Sequence, residues 1–182
     1  CGRCVSLCPA GAQTYYGEIH SVADIMQKVE ADNVFYSRSG GGLTVSGGEP
    51  FAQADFTLAL LREARKNHLH TTAESCGLCP TEVLNQACSL LDALIFDVKS
   101  LDTVRHREYT GQGNEQILKN LDYVFAHFPD LPVRVRTPVI PGFNDSEEEI
   151  LKVRRMLPDR PNVSYEILSY HRLGLPKYGY IG

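Results

Sequence analysis

The chain has 182 residues, of which 43% are hydrophobic and 22% charged, and 18 basic against 22 acidic side chains leave a net charge of −4. This balance is typical of a globular domain and excludes intrinsic disorder as the main state. No apolar run approaches the roughly 18 residues of a membrane span, and no basic excess favours nucleic acid, so we expect neither as a partner. Because the chain begins at Cys1, inside a cysteine cluster, we interpret it as an internal fragment of a longer protein.

Short β-rich runs alternate with helical patterns along the chain. After an irregular stretch at 1–12, apolar residues at helical spacing predict a helix over 21–32, with Ser21 and Asp24 as a capping box. Further helices are predicted at 56–66, 81–91, 115–128 and 146–157, the last opening with Ser146 and Glu149 in the same capping pattern. Strands are predicted at 43–46, 70–73, 94–98, 133–140 and 163–168. Strict alternation over short loops indicates a parallel α/β sheet of five strands.

Polar residues gather where the predicted strands end. Sheets of this kind bind ligands at the carboxyl ends of their strands. In chain order, the residues at or beyond those ends are Gly47-Gly48-Glu49, Glu74-Ser75, Asp97 and Lys99, Arg136 and His171. We therefore predict an active site along this edge of the sheet.

Two of these groups have both a functional and a simple interpretation. Gly47 and Gly48 allow a ligand to approach the backbone closely, and Glu49 adds a carboxylate suited to an ammonium group, although the segment could be only a turn. Asp97 and Lys99 leave the same face of a strand, so they either serve a ligand together or form a local ion pair.

The first cysteines have the spacing of an iron–sulfur motif. Cys1-x2-Cys4-x3-Cys8-Pro9 is the tail of the run C-x2-C-x2-C-x3-C-P, whose thiolates hold 4Fe–4S clusters. A zinc site or chance spacing is the alternative. We expect Cys1, Cys4 and Cys8 to ligate 4Fe–4S iron.

The remaining cysteines and most histidines are expected to be structural. Cys76-x2-Cys79 could be a thioredoxin-like redox pair, but two structural thiols fit the strand order better. Cys88 lies among leucines of a predicted helix and is expected in the core. Surface or helix-end positions are expected for four of the histidines, which are His20, His68, His106 and His127.

Taken together, these motifs resemble one enzyme family. Residues 40–50, 96–99, Arg136 followed by 141–145, and 170–174 match, in order and spacing, the radical S-adenosylmethionine (SAM) enzymes that activate glycyl radical enzymes. The resemblance covers nearly the whole chain. The ferredoxin-type cysteines are similar to those of activating enzymes that carry an inserted pair of extra clusters.

The resemblance implies roles for individual residues. The residues implied in binding SAM are Gly47, Gly48, Glu49, Asp97, Val98, Lys99, Arg136 and His171. Within that set, Gly47 to Glu49 would meet the methionine amino group, and Lys99 would lie near the methionine carboxylate. Glu74, Ser75 and Asp97 correspond to a monovalent-cation site of a relative, although Glu replaces Asp and Cys76 replaces the following Asn.

The implied fold is a partial parallel (β/α) barrel with about five of the family's six strands, at 17–182, preceded at 1–16 by the end of a ferredoxin-like 4Fe–4S insert. The implied activity is an oxidoreductase reaction, in which SAM is cleaved reductively at a 4Fe–4S cluster and the 5′-deoxyadenosyl radical takes a hydrogen atom from a glycine. The implied partners are a glycyl radical enzyme as protein substrate and a flavodoxin or ferredoxin as reductant, in an anaerobic cytoplasm.

One departure from the family is large. The C-x3-C-x2-C motif that binds the radical-generating cluster is absent from this sequence, and Cys76, Cys79 and Cys88 do not have its spacing. We therefore expect three clusters in the parent, one radical-generating and two auxiliary, and an inactive fragment. The alternatives are a radical SAM enzyme that acts on a small molecule and an iron–sulfur electron-transfer module.

Overall fold

The computed structural model describes residues 3–13 and 17–170. Within these ranges the helices are α1 Arg3–Ser6, α2 Val22–Glu30, α3 Asn33–Ser39, α4 Ala54–Lys66, α5 Thr81–Cys88, α6 Thr103–Thr110, α7 Glu115–His127 and α8 Glu147–Met156, with a 3₁₀ helix at Pro50–Gln53. The strands are β1 Gly42–Val45, β2 His70–Ser75, β3 Ala93–Asp97, β4 Val133–Val139 and β5 Val163–Ser169. Among these helices, none combines the length and the apolar character that crossing a bilayer requires.

The strands form one parallel sheet in the order β1-β2-β3-β4-β5, which confirms the predicted α/β class. Val45 lies opposite Ala73, and Asp97 lies opposite Arg136. Because every neighbour is parallel and consecutive in sequence, all carboxyl ends meet at one edge. The architecture is that of an incomplete (β/α) barrel with five strands.

The two faces of the sheet differ in character. Leu94, Phe96 and Val135 point to the helix-covered face and are completely buried. They pack with helix residues such as Leu61 and Leu121 in the main core. Burying side chains of this size stabilises the fold by about 1.5–3 kcal/mol each. The opposite face carries the alternate residues and remains partly open, so charged side chains are tolerated there.

The capping predictions are met at one helix and half met at another. At α2, Ser21 and Asp24 form the full reciprocal capping box. At α8, the Ser146 hydroxyl accepts a hydrogen bond from the Glu149 N–H. The Glu149 carboxylate instead faces Ser100 and Lys152, so the second half of the predicted box is replaced by side-chain contacts.

Three helices escaped the sequence analysis. The stretch 1–12 was expected to be irregular but contains the single turn α1, and α3 and α6 lie in predicted loops. Helix α6 has almost no apolar stripe; it begins because Asp102 accepts hydrogen bonds from the N–H groups of Val104 and Arg105, and it ends at Gly111 with φ 80°. Local capping, and not hydrophobic periodicity, therefore defines it.

His106, in α6, corrects one expectation. It was expected at a surface or helix-end position, but it lies in the middle of α6 and is only 4% exposed. Its Nδ1 lies 2.7 Å from the Gln112 carbonyl and 3.1 Å from the Thr110 hydroxyl. The ring is buried because the chain after Thr110 folds back over it.

Candidate functional site

Three strand ends meet around one cavity at the carboxyl edge of the sheet. The cavity has a volume of about 270 Å³ and is lined by the turn after β1, the end of β2 and the end of β3. Its lining residues are Ser46, Gly47, Gly48, Glu49, Glu74, Ser75, Cys76, Asp97 and Lys99. The structure thus brings together most of the residues that the sequence singled out. An adjoining cavity of about 420 Å³ shares Ser46, Gly48 and Glu49 with it.

Glu49 joins the first two strand ends. Its Oε1 accepts hydrogen bonds from the Phe51 N–H at 3.1 Å and the Ser75 hydroxyl at 2.7 Å. Its Oε2 accepts from the Cys76 N–H at 3.0 Å and the Cys76 thiol at 3.1 Å. The carboxylate therefore links its own turn to residues 26 and 27 positions later.

The two glycines of the turn are not equivalent. Gly47 has φ 130°, a conformation that L side chains rarely adopt, whereas Gly48 is not among the residues with positive φ. A Cβ at either position would meet no atom within 4 Å. The space in front of both glycines is open, as close approach by a ligand requires.

Arg136 holds the carboxylates of β2 and β3 together. Its guanidinium binds Glu74, and its Nε donates to Asp97 Oδ1 at 3.3 Å. Burial acts to lower the pKa of Arg136, but the bonds to Glu74 and Asp97 outweigh it and raise that pKa. Burial raises the pKa of Asp97, although the positive charges of Lys99 and Arg136 oppose the shift. Asp97 thus forms its ion pair with Arg136 of β4 and not with Lys99.

The backbone that carries Lys99 is fixed from β4 and the loop after it. The Thr137 hydroxyl donates to the Val98 carbonyl at 2.8 Å. Asn144, 1% exposed, donates from Nδ2 to the Lys99 carbonyl at 2.6 Å and to the Pro138 carbonyl at 2.9 Å. Val98 is itself buried, so Asp97 and Lys99 face the open side together. A rigid main chain therefore presents the Lys99 ammonium to the cavity.

The predicted cation site has its residues in place but with other partners. Glu74 and Asp97 both bind Arg136, while the Ser75 hydroxyl is turned toward Glu49. Within residues 3–13 and 17–170, no group of three His, Cys, Asp or Glu side chains has the arrangement of a metal site. A monovalent cation here would have to share both carboxylates with the guanidinium, and its presence stays a prediction.

The predicted cluster ligands lie partly within the described residues. Cys4 is exposed and Cys8 half-buried, whereas Cys1 lies outside the described ranges, as does His171. Hydrogen bonds from the backbone near Gln13 and Ala12 lower the pKa of Cys8. A lowered pKa favours the thiolate that iron binds.

The second cysteine group is structural in part. Burial raises the pKa of Cys79 to about 12, and it does the same for Cys88, which lies in the core as predicted. Cys76 differs, because it reaches the cavity. Sequence reasoning missed Cys76, Thr137 and Asn144 as site residues. The signal available was their position, within a few residues of a strand's carboxyl end.

The chain is similar to proteins of one enzyme superfamily. The model of the radical SAM superfamily matches residues 6–153. The chain is 65% identical, over an alignment 211 positions long, to the (2S)-3-sulfopropanediol sulfolyase activating enzyme of Bilophila wadsworthia, covering 100% of this chain and 70% of that protein. It is 48% identical to the isethionate sulfite-lyase activating enzyme of Nitratidesulfovibrio vulgaris, over 98% of this chain and 58% of that protein.

A solved structure of an activating enzyme has a similar fold. A domain of the pyruvate-formate lyase-activating enzyme from Bacteroides vulgatus superposes with a TM-score of 0.64 and 29% identity, over 72% of this chain and 81% of that chain. These relatives favour the activating-enzyme prediction over the small-molecule and electron-transfer alternatives. The chain therefore belongs to the radical SAM superfamily and, within it, to the activating enzymes of glycyl radical enzymes.

Proposed function

We propose that this chain forms the SAM-binding part of an enzyme that activates a glycyl radical enzyme. The observation that carries the proposal is the cavity of about 270 Å³, where the Gly-Gly-Glu turn, the end of β2 and the Asp97–Lys99 segment converge. When bound at a 4Fe–4S cluster, SAM supplies the radical that removes a hydrogen atom from a glycine of the partner. The residues of this chain bind and orient SAM for that step.

The chemistry of the cavity fits the methionine portion of SAM. That portion carries an ammonium and a carboxylate, and the cavity offers the Lys99 ammonium as a charge-assisted partner for the carboxylate. The open space before Gly47 and Gly48 admits the ligand to the main chain. Arg136 fixes two carboxylates of the cavity lining through its ion pairs with Glu74 and Asp97. We propose that His171, which lies outside the described residues, contacts the adenosyl portion, as the resemblance to the family implies for this position in the sequence.

We further propose that residues 1–16 belong to a ferredoxin-type insert, with Cys1, Cys4 and Cys8 as ligands of auxiliary 4Fe–4S clusters. Two auxiliary clusters would join the radical-generating one, with electrons from a flavodoxin or ferredoxin in the cytoplasm. No cysteine of this chain has the spacing that the family uses for the radical-generating cluster, so none is assigned to it.

The names of the relatives suggest the class of partner. The sulfopropanediol sulfolyase and isethionate sulfite-lyase named in those relatives act on small hydroxylated sulfonates. We propose that the partner of this protein is a glycyl radical lyase that cleaves the carbon–sulfur bond of such a sulfonate. The identity of 65% against 48% favours the three-carbon substrate over the two-carbon one. Glycyl radical formation on each purified lyase, followed by electron paramagnetic resonance, tests this choice.

The decisive test of the site is Lys99→Met in the full-length protein. Met keeps the apolar stem of the side chain and removes only the charge. We expect SAM affinity to fall at least about tenfold, equivalent to about 1.4 kcal/mol, because the methionine carboxylate loses its partner. The melting temperature should stay close to that of the wild type.

The matched control is Lys119→Met, which removes an exposed lysine on α7, away from the cavity. It should leave both affinity and melting temperature unchanged. A large fall in the melting temperature of Lys99→Met with unchanged affinity would mean that Lys99 is structural.

A further inference from the structure

The Glu49 carboxylate is fully engaged by the protein itself. An ionised carboxylate has about four lone-pair sites. Here four donors reach it, two at each oxygen, from Phe51, Ser75 and twice from Cys76. This arrangement differs from the sequence expectation, in which Glu49 was the partner of an ammonium group. The capacity of Glu49 to accept a ligand's N–H groups is already taken.

The donors on β2 are themselves held in place. Ser75 is 3% exposed, and while its hydroxyl donates to Glu49 it accepts the Gly77 N–H at 2.8 Å. The Gly77 carbonyl in turn accepts a hydrogen bond at 2.7 Å from Asn120, which is completely buried in α7. A continuous network therefore runs from the core to Glu49. Every link of this network is made by groups of the protein itself.

Glu49 also fixes its own turn. It caps the 3₁₀ helix through the Phe51 N–H, and Pro50 and Phe51 are both buried. The adjoining Gly47 and Gly48 have no side chains to hold them. Their position therefore depends on Glu49 and the residues it contacts.

We infer that Ser75 and Cys76 are positioning residues for the SAM pocket. Their hydrogen bonds to the Glu49 carboxylate hold the Gly47-Gly48 backbone where it receives the methionine portion of SAM. This inference rests on the proposed function. In this arrangement Glu49 acts through the turn, and the ammonium of the ligand is received by main-chain carbonyl groups. The Cys76 thiol must stay protonated to donate. Burial, and then the hydrogen bond to Glu49, raises its pKa and so favours the protonated form.

The test compares Cys76→Ala with Cys76→Ser in the full-length protein. Alanine removes one donor to Glu49, whereas serine replaces the thiol with a hydroxyl that can donate in its place. We expect Cys76→Ala to weaken SAM binding about three- to fivefold, because a thiol is a weak donor, and Cys76→Ser to restore affinity to within about twofold of the wild type. Ser75→Ala should cost about tenfold or more, since its hydroxyl bond to the carboxylate is short and charge-assisted. Thr44→Ala, at an exposed position of β1, is the control and should change nothing.

Each outcome decides between the two roles of Glu49. If Glu49 bound the ammonium directly, removing the competing thiol donor in Cys76→Ala would leave affinity unchanged or increase it, and the inference would be overturned. A fall in melting temperature with unchanged affinity would overturn it too. A wild-type protein that does not bind SAM would refute the proposed function, and the inference with it.

A measurement on the wild type covers the case in which the variants fold poorly. SAM should slow the alkylation of Cys76, measured at that residue by peptide mass spectrometry. The reason is that SAM binding and the hydrogen bonds from Ser75 and Cys76 to Glu49 are expected to stabilise each other. Equal alkylation rates with and without SAM would contradict the inference.

Discussion

Removing the Arg136 guanidinium should expose how strongly the site depends on a single internal cation. Arg136 has a side-chain exposure of 15%, and the two carboxylates it holds, Glu74 and Asp97, are 34% and 24% exposed. In Arg136→Met both carboxylates lose their partner while they remain close to each other. Leaving a fully buried charge unpaired costs about 3–5 kcal/mol, and the partial exposure here reduces the expected loss to about 2 kcal/mol.

The assay is thermal unfolding of the full-length protein under anaerobic conditions. For a domain of about 150–250 residues, a loss of about 2 kcal/mol corresponds to a fall of about 4–8 °C in melting temperature, and a longer full-length protein should show a fall toward the lower end of that range. The double variant Arg136→Met with Asp97→Asn should recover part of that fall, because it removes one of the two stranded charges. The two substitutions are therefore expected to be non-additive.

The pH dependence gives a second check with a definite sign. Burial raises the pKa of Asp97 in the folded protein, so its ionised form costs stability at neutral pH and the cost disappears as pH falls through that pKa. In Arg136→Met this cost is larger. The difference in stability between wild type and variant should therefore shrink from pH 7.5 to pH 5. An equal melting temperature for the two proteins at pH 7.5, or a difference that grows on acidification, would refute the reasoning.

Two further predictions concern other residues. Gly47→Ala should destabilise the protein by about 1–3 kcal/mol, because φ 130° is strained for alanine, whereas Gly48→Ala should cost well under about 1 kcal/mol. Comparable falls in the melting temperatures of the two variants would contradict the positive φ of Gly47. Asp92 accepts hydrogen bonds from Thr71 and Arg65, which outweigh burial and lower its pKa, so its stabilisation is fully present above the unfolded pKa of about 3.9 and is lost as pH falls through the lower pKa of the folded protein. Asp92→Asn should thus cost about 1 kcal/mol at pH 7, a figure reduced for partial exposure, and denaturant titrations should show a smaller difference from the wild type at pH 3 than at pH 7.

The strands, and the gathering of polar residues at one edge of the sheet, were predictable because strong sequence signals indicate them. A buried parallel strand is an uninterrupted apolar run, as at β3, and the polar residues that end it must lie at the ligand-binding edge. From this argument alone, Asp97 and Lys99 were expected at the same edge of the sheet as the Gly47-Gly48 turn, and in the structure all four residues line one cavity.

What the sequence did not reveal was which polar group binds which. A carboxylate such as Glu49 can receive a ligand's ammonium or the protein's own N–H, O–H and S–H groups with the same chemistry. The choice depends on distances set by the turn after β2, which comes 26 residues later. For the same reason, the partner of Asp97 could not be chosen between Lys99 and Arg136 until the register of β3 against β4 was known.

The distribution of charge in the cavity explains why its main chain matters. Of the three carboxylates that line it, Glu49 is saturated by donors from the protein, and Glu74 and Asp97 share the Arg136 guanidinium. Negative charge that faces the ligand is thereby balanced within the protein, while Lys99 presents its ammonium from a main chain fixed by Asn144. The two charged groups of a zwitterionic ligand would then meet partners of different strength. In the proposed arrangement its carboxylate would meet the full positive charge of Lys99. Its ammonium would meet carbonyl dipoles of the glycine turn, whose position we infer to depend on Ser75 and Cys76. Small shifts of that turn should therefore affect the ligand's orientation more than they affect the stability of the fold.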